Sequence, residues 1–153
     1  MFGEFMEKRF VLPGEYFISK RPIILDTLVG SCVCIYNVKD GIAAMNHFLH
    51  SEPNGQEDFD IGHYGSSSTE YIIEKLFARD PAARHYKAEI FGGGAVIKNM
   101  DTKSNIGKKN IDIAHKVLAR YRVRIVHEEV GGVRGRRVKF RYRDKKSILQ
   151  ICR

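Results

Sequence analysis

Several things are scarce in this chain, and each scarcity excludes something. No apolar run approaches the roughly 18 residues that a membrane-crossing helix requires, so no such helix is expected within these residues. Cysteine occurs only 3 times, at positions 32, 34 and 152. An odd count of so few thiols does not make a disulfide framework, so they are expected to be reduced. The opening residues Met1 to Arg9 are charged and lack the apolar core of a secretory leader, which makes a cytoplasmic location the expectation. At 153 residues the chain can bury a core without staples, and one domain over 1–153 is expected.

Positive charge is abundant. Lys and Arg number 26 against 18 Asp and Glu, a formal net charge of +8, and roughly two-thirds of the cations follow Ile97. Such a field favours acidic partners without choosing among nucleic acid, an anionic membrane surface and an acidic protein.

Along the chain, Phe10 to Ser19 reads as strand, turn at Pro13-Gly14, strand. Ile23-Ile24-Leu25 reads as a short buried strand, and Asp26 to Ser31 as a loop or tight turn ending at Cys32. The β-rich run that follows faces a second one, Ile42 to Leu49. His50 to Gly65 reads as an irregular loop. Ser67-Ser68-Thr69-Glu70 fits a capping box, opening a helix whose apolar face is Ile72, Ile73, Leu76 and Phe77 and which Asp80-Pro81 ends. Lys87 to Phe91 predicts a strand and Asn105 to Tyr121 a second helix with Ile106, Ile111, Ala114, Val117, Leu118 and Tyr121 at helical spacing. Val123 to Val130, Val138 to Tyr142 and Ser147 to Cys152 complete an α+β domain with a substantial antiparallel sheet component.

The sharpest chemical constellation is Cys32 with His47. A two- or four-residue hairpin loop centred on Lys39-Asp40 makes paired positions sum to 79 and sets Cys32 opposite His47; a turn at Asp40-Gly41 makes them diagonal neighbours. A three-residue loop would send them to opposite faces. A thiol nucleophile needs a nearby base, and the Gly30-Ser31 lead-in offers backbone N–H groups for an oxyanion. Thr27 is placed to orient the imidazole. A plain buried cysteine and a plain hairpin histidine stand as the alternative, because cysteine is among the most buried residue types.

Cys32-x-Cys34 with His47-x-x-His50 also counts four zinc-type ligands, although strand alternation sends His47 and His50 to opposite faces. Gly92-Gly93-Gly94 lacks the Lys-Ser/Thr of a phosphate loop and reads as a tight turn against another segment. Arg134 to Arg143 interleaves cations and aromatics as a nucleic-acid surface does, but the alternation more simply describes a strand with one solvated basic face.

Thr27-Leu28-Val29-Gly30-Ser31-Cys32-Val33 followed by Ala44-Met45-Asn46-His47-Phe48 resembles the chemoreceptor glutamine deamidase family, CheD. Pro13-Gly14-Glu15-Tyr16, Phe91-Gly92-Gly93-Gly94-Ala95, Asn105 to Asn110 and Gly131 to Val138 resemble further blocks of that family, in its order and across nearly the whole chain. The resemblance implies a layered α/β/β sandwich shared with toxin deamidases. It implies hydrolysis of receptor glutamines to glutamates, with Cys32 as nucleophile, His47 as base and acid, and Thr27 orienting His47. No metal or organic cofactor is implied. The implied partners are chemotaxis receptors and a CheC-type phosphatase, with no nucleic acid, no membrane insertion and a monomer when free. A receptor methylesterase side activity is a further implication, and a non-catalytic adaptor for receptor or phosphatase is the alternative. Asn46 and His50 depart from the family's small apolar residue and proline, at the rim of the expected pocket.

Overall fold

A computed structural model describes residues 7–19, 23–53, 60–92, 106–130, 136–141 and 146–151. The strands are β1 (Glu7–Phe10), β2 (Tyr16–Ile18), β3 (Ile23–Val29), β4 (Ser31–Asn37), β5 (Ala43–Asn46), β6 (Tyr86–Gly92), β7 (Arg124–Val130), β8 (Arg136–Arg141) and β9 (Lys146–Ile151). The helices are α1 (Gly65–Arg79) and α2 (Ile106–Arg120). Five strands form one sheet in the order β2-β5-β4-β6-β7, and four form another in the order β1-β3-β8-β9. Pairing is antiparallel except at β1–β3 and β6–β7, so the expected antiparallel character holds.

Strand alternation explains the layering. On β4, Val33 and Ile35 join Ala44, Ala88 and Ile90 on one face, packed against Ile72, Ile73 and Leu76 of α1 and Ile113, Ala114, Val117 and Leu118 of α2. Cys32, Cys34 and Tyr36 point the other way, with Ala43, Met45 and Phe91, onto Val11, Ile23 and Leu25 of the four-stranded side. The central strand is buried on both faces, and all seven of its residues are buried. Helices, five-stranded sheet and four-stranded sheet are therefore three successive layers, as the resemblance implied.

Two sequence expectations fail locally. Asp26 to Ser31 is not a loop: β3 continues to Val29 and only Gly30 interrupts the chain before β4. Thr27 and Val29 are β-branched and favour the extended backbone, and Asp26, wholly buried, is paired with Lys8 Nζ of β1 at 3.3 Å. Nor does the first helix begin with a capping box at Ser67. It starts at Gly65, with no side-chain hydrogen bond from its N-cap Tyr64. Ser67 Oγ instead donates to Ile61 O at 2.8 Å, and Ser68 and Thr69 are drawn inward by Asn46.

The Pro13-Gly14 turn does more than reverse the chain. It carries β1 in one sheet to β2 in the other, with Gly14 in the left-handed region at φ 83°. At the opposite end of β4, Asp80 holds the helix end to the sheet: its carboxylate accepts from Asn37 Nδ2 at 2.8 Å, is paired with His85 Nδ1 at 2.7 Å, and accepts from Ala82 N at 3.1 Å. The Asn37 bond, helped by His85 and Ala82, lowers the Asp80 carboxyl from 3.8 to about 2. A carboxyl depressed on folding stabilises above its unfolded pKa, and that contribution fades as pH falls from 3.8 through about 2. The urea midpoint of Asp80→Asn should thus lie below wild type at pH 6 and converge with it near pH 2. A gap unchanged across that range would refute this account.

Candidate active site

The β4–β5 register settles the hairpin. Cys34 pairs with Met45, Ile35 with Ala44 and Tyr36 with Ala43, and beyond them Ser31 bridges Phe48. Every pair sums to 79, so Cys32 stands opposite His47 on the face turned toward the four-stranded sheet. Cys32 is wholly buried and His47 is 3% exposed.

Thr27 reaches this pair from the other sheet. Its Oγ1 lies 2.6 Å from Val11 O and 3.0 Å from His47 Nδ1. A carbonyl oxygen only accepts, so the Thr27 hydroxyl donates its single hydrogen to Val11 and must accept from the imidazole. Neutral His47 consequently carries its proton on Nδ1, leaving Nε2 with a free lone pair. Nε2 faces the turn before the cysteine, since a Cβ added to Gly30 would sit 3.3 Å from it. Burial lowers the His47 pKa below its ordinary 6.5, and a contribution from the Val11 carbonyl opposes this. The imidazole is therefore neutral at neutral pH, with its basic nitrogen turned toward Gly30, just before the strand that carries Cys32.

The imidazole's backbone is fixed as well. Gly14 N donates to His47 O at 2.7 Å, and His47 N donates to Glu15 O at 3.0 Å. The Pro13-Gly14-Glu15 turn thus clamps the histidine on both sides, which gives that sequence block a physical purpose. Gly92, at φ 110°, closes the other flank, where an added Cβ would fall 1.9 Å from Gly30 O. Gly93 and Gly94 lie outside the described residues.

Not every expected site residue converges. Ser31 Oγ accepts from Asn110 Nδ2 at 3.1 Å, which directs that hydroxyl to α2 and away from the face of Cys32. Only the backbone of Ser31 can therefore serve an oxyanion. Cys34 shares the buried face with Cys32, and burial, then contact with Cys32, pushes its thiol well above the ordinary range. It stays protonated and inert. His50 is exposed and lies beside Tyr64, their rings 6.5 Å apart, on the helix side of the strand ends. Cys152 lies outside the described residues, and among those described no three His, Cys, Asp or Glu side chains gather as metal ligands.

Asn46, a departure from the family pattern, proves to be a structural bracket. It is wholly buried; its Oδ1 accepts from Val33 N at 2.7 Å, while Nδ2 donates to Ser68 Oγ at 2.9 Å and Thr69 Oγ1 at 3.0 Å. The side chain thus binds β4, β5 and α1 together from the helix side, away from the thiol. Asn110 was missed in the sequence. The buried stripe of α2 is Asn110, Ile113, Ala114, Val117 and Leu118, and a polar residue in register with that stripe was the available signal.

An α/β/β domain with a buried thiol facing an oriented, neutral imidazole is the class that fold and site define. A family model described as CheD chemotactic sensory transduction matches residues 49–150, a span beginning just after His47. The chain is 33% identical over 148 residues to a protein of Burkholderia vietnamiensis named "Probable chemoreceptor glutamine deamidase CheD", covering 94% of this chain and 60% of that protein. A protein of the same name from Paraburkholderia xenovorans is 36% identical over 148 residues, covering 94% and 59%. Another, from Sulfurimonas denitrificans, is 34% identical over 136 residues and covers 86% of both chains. The chain belongs to the CheD family. It spans about three-fifths of the length of the first two relatives.

Proposed function

We propose that this chain hydrolyses glutamine side chains of chemotaxis receptors to glutamates, releasing ammonia. The observation that carries this reading is the Thr27–His47 contact, which leaves Nε2 as a base, turned toward Gly30 two residues before Cys32. The Cys32 thiol loses its proton to Nε2 as sulfur attacks the amide carbonyl. N–H groups near Gly30, Ser31 and Cys32 hold the oxyanion. Protonated His47 then delivers that proton to the departing ammonia, leaving a thioester. In the second half His47 activates water, the thioester is hydrolysed, and the thiol is restored. These steps use the chain's own side chains from 1 to 153 as one domain, with no metal or organic cofactor.

The setting we propose is the cytoplasm, with the free protein a monomer and a CheC-type phosphatase competing with receptor. Glutamyl methyl esters present the same acyl carbon, so a methylesterase side activity follows from the same chemistry. The excess of cations suits an acidic receptor surface, steering encounter rather than fixing recognition. Mass spectrometry of a receptor fragment incubated with the protein tests the reading. Deamidation adds about one dalton per glutamine and liberates ammonia. A fragment unchanged in mass but retained by the protein would leave only an adaptor.

Thr27→Val tests the imidazole's orientation. Valine keeps the shape but can neither accept from Nδ1 nor donate to Val11. Turnover should fall on the order of tenfold to a hundredfold with the fold intact, the usual scale for losing an orienting partner. The acid limb of kcat/KM in the wild type should lie below pH 6.5, following the lowered His47 pKa. Wild-type turnover and an unmoved limb in Thr27→Val would show that another group orients His47.

A further inference from the structure

The β4–β5 ladder thins where Cys32 and His47 face each other. Backbone pairing runs from Tyr36–Ala43 to Cys34–Met45 and stops there. At the next rung Val33 N donates at 2.7 Å to the side chain of Asn46, through Oδ1. Beyond Cys32 and His47 comes one isolated bridge, Ser31 with Phe48, where Phe48 N donates to Ser31 O at 3.1 Å. Thiol and imidazole are held from elsewhere. Cys32 is paired with Phe91 of β6, and His47 is fixed by Gly14, Glu15 and Thr27. The Gly30-Ser31 turn has Gly92 of β6 on one flank, but on the hairpin flank it has only that bridge.

Asn110 of α2 adds a second tie on this flank. Its Nδ2 lies 3.1 Å from Ser31 Oγ and 3.2 Å from Leu49 O. Leu49 O only accepts, so the NH₂ must face it. One amide group therefore joins the residue before the thiol to the residue two beyond the imidazole. Stability does not explain the choice of asparagine. Its neighbours in the buried stripe of α2 are Ile113, Ala114, Val117 and Leu118, and Asn110 itself is 3% exposed. Its Oδ1 is buried and has no hydrogen-bond partner among the described residues. A buried carbonyl without a donor offsets much of what the two NH₂ bonds contribute, and a leucine of similar size would carry no such penalty. A polar side chain kept in a core against stability marks a place where the fold serves function.

We propose that Asn110 is a positioning residue of the active site: from α2 it holds the Gly30-Ser31 turn, whose N–H groups receive the oxyanion, at the open end of the hairpin. The role rests on the Cys32–His47 mechanism above. It is specific to the oxyanion half of that mechanism, because thiol and imidazole keep their own anchors when the tie is cut.

Two variants cut it. Asn110→Leu removes the donor, and Ser31→Ala removes the hydroxyl it reaches while keeping the Ser31 backbone. With a receptor fragment, each should lower kcat for ammonia release on the order of tenfold to a hundredfold, the scale of a small misplacement, with KM within about twofold. An aldehyde analogue of the glutamine side chain reads the turn directly. Cys32 sulfur bonds to its carbonyl carbon, the π pair moves to oxygen, and that oxygen takes the thiol proton. Its inhibition constant should weaken in step with kcat. Alkylation of Cys32 by iodoacetamide, in which sulfur displaces iodide at a saturated carbon, forms no oxyanion, so its rate and pH dependence should stay those of wild type. Alkylation slowed in parallel with kcat, an unchanged aldehyde constant, or wild-type kcat in both variants would each overturn the positioning role. If Asn110→Leu does not fold, Ser31→Ala decides alone. Wild-type protein assayed alongside separates the two readings: no ammonia from it removes the deamidase reading and this role together, whereas wild type and variants equally active remove only the role of Asn110.

Discussion

Cys32→Ala is expected to abolish ammonia release from a receptor fragment, and His47→Ala to do nearly the same. Under the proposed mechanism the two residues act as one unit, so each single loss should cost on the order of 10⁴-fold or more in turnover, and the double variant little more than either. The reason lies in the register: with paired positions summing to 79, no other described thiol stands opposite an imidazole. Cys34→Ala is the internal control. Its thiol is equally buried and is held protonated, so its loss removes packing atoms but no chemistry. Removing one buried sulfur should cost about 1 kcal/mol of stability, which circular dichroism and a melting curve would separate from catalytic loss. Substantial activity in Cys32→Ala, or loss in Cys34→Ala alone, would remove Cys32 from the mechanism.

The second large effect is expected at glycine, and two positions give opposite signatures. Gly92→Ala places a methyl group 1.9 Å from Gly30 O on a backbone at φ 110°, where an L side chain is strained. Backbone must move, at a cost of roughly 2–4 kcal/mol, lowering Tm by about 5–15 °C and displacing the turn that precedes Cys32. Gly30→Ala has no such backbone demand. Its methyl group would stand 3.3 Å from His47 Nε2, crowding the basic nitrogen and nothing structural. It should melt within a few degrees of wild type yet lose most activity. If Gly30→Ala were active and Gly92→Ala melted like wild type, the close packing of Gly30 between strand and imidazole would be mistaken.

Much of this was legible in the sequence because it rests on short-range rules. Alternation along Ser31 to Tyr36 gave the central strand, and hairpin parity gave the facing of Cys32 and His47. Apolar spacing gave both helices to within a few residues. The layering was not legible from the residues: nothing in Phe10 to Ser19 says that β1 and β2 part into different sheets. Asp26 looked like a loop residue because its partner Lys8 comes from a parallel neighbour that only the tertiary structure supplies. Ser67 imitated a helix cap although its hydroxyl donates to Ile61 O, and its neighbours Ser68 and Thr69 serve Asn46, 22 and 23 residues away. Polar residues that serve distant partners carry the local signature of something else, and Asn110 is the same case inside a helix.

Thr27 lies in β3 of one sheet and His47 directly follows β5 of the other, and their 3.0 Å contact crosses the layer of apolar side chains between the sheets. The proton position on the imidazole is therefore a gauge of how the two sheets stack. Interior packing there is made of Cys32, Met45, Leu25 and similar side chains, which hold the sheets by area rather than by direction. Warming that loosens this stacking by a few tenths of an ångström would release Nδ1 while every strand ladder stayed closed. Activity should thus fade at temperatures where backbone order is still complete, and it should return on cooling without any refolding.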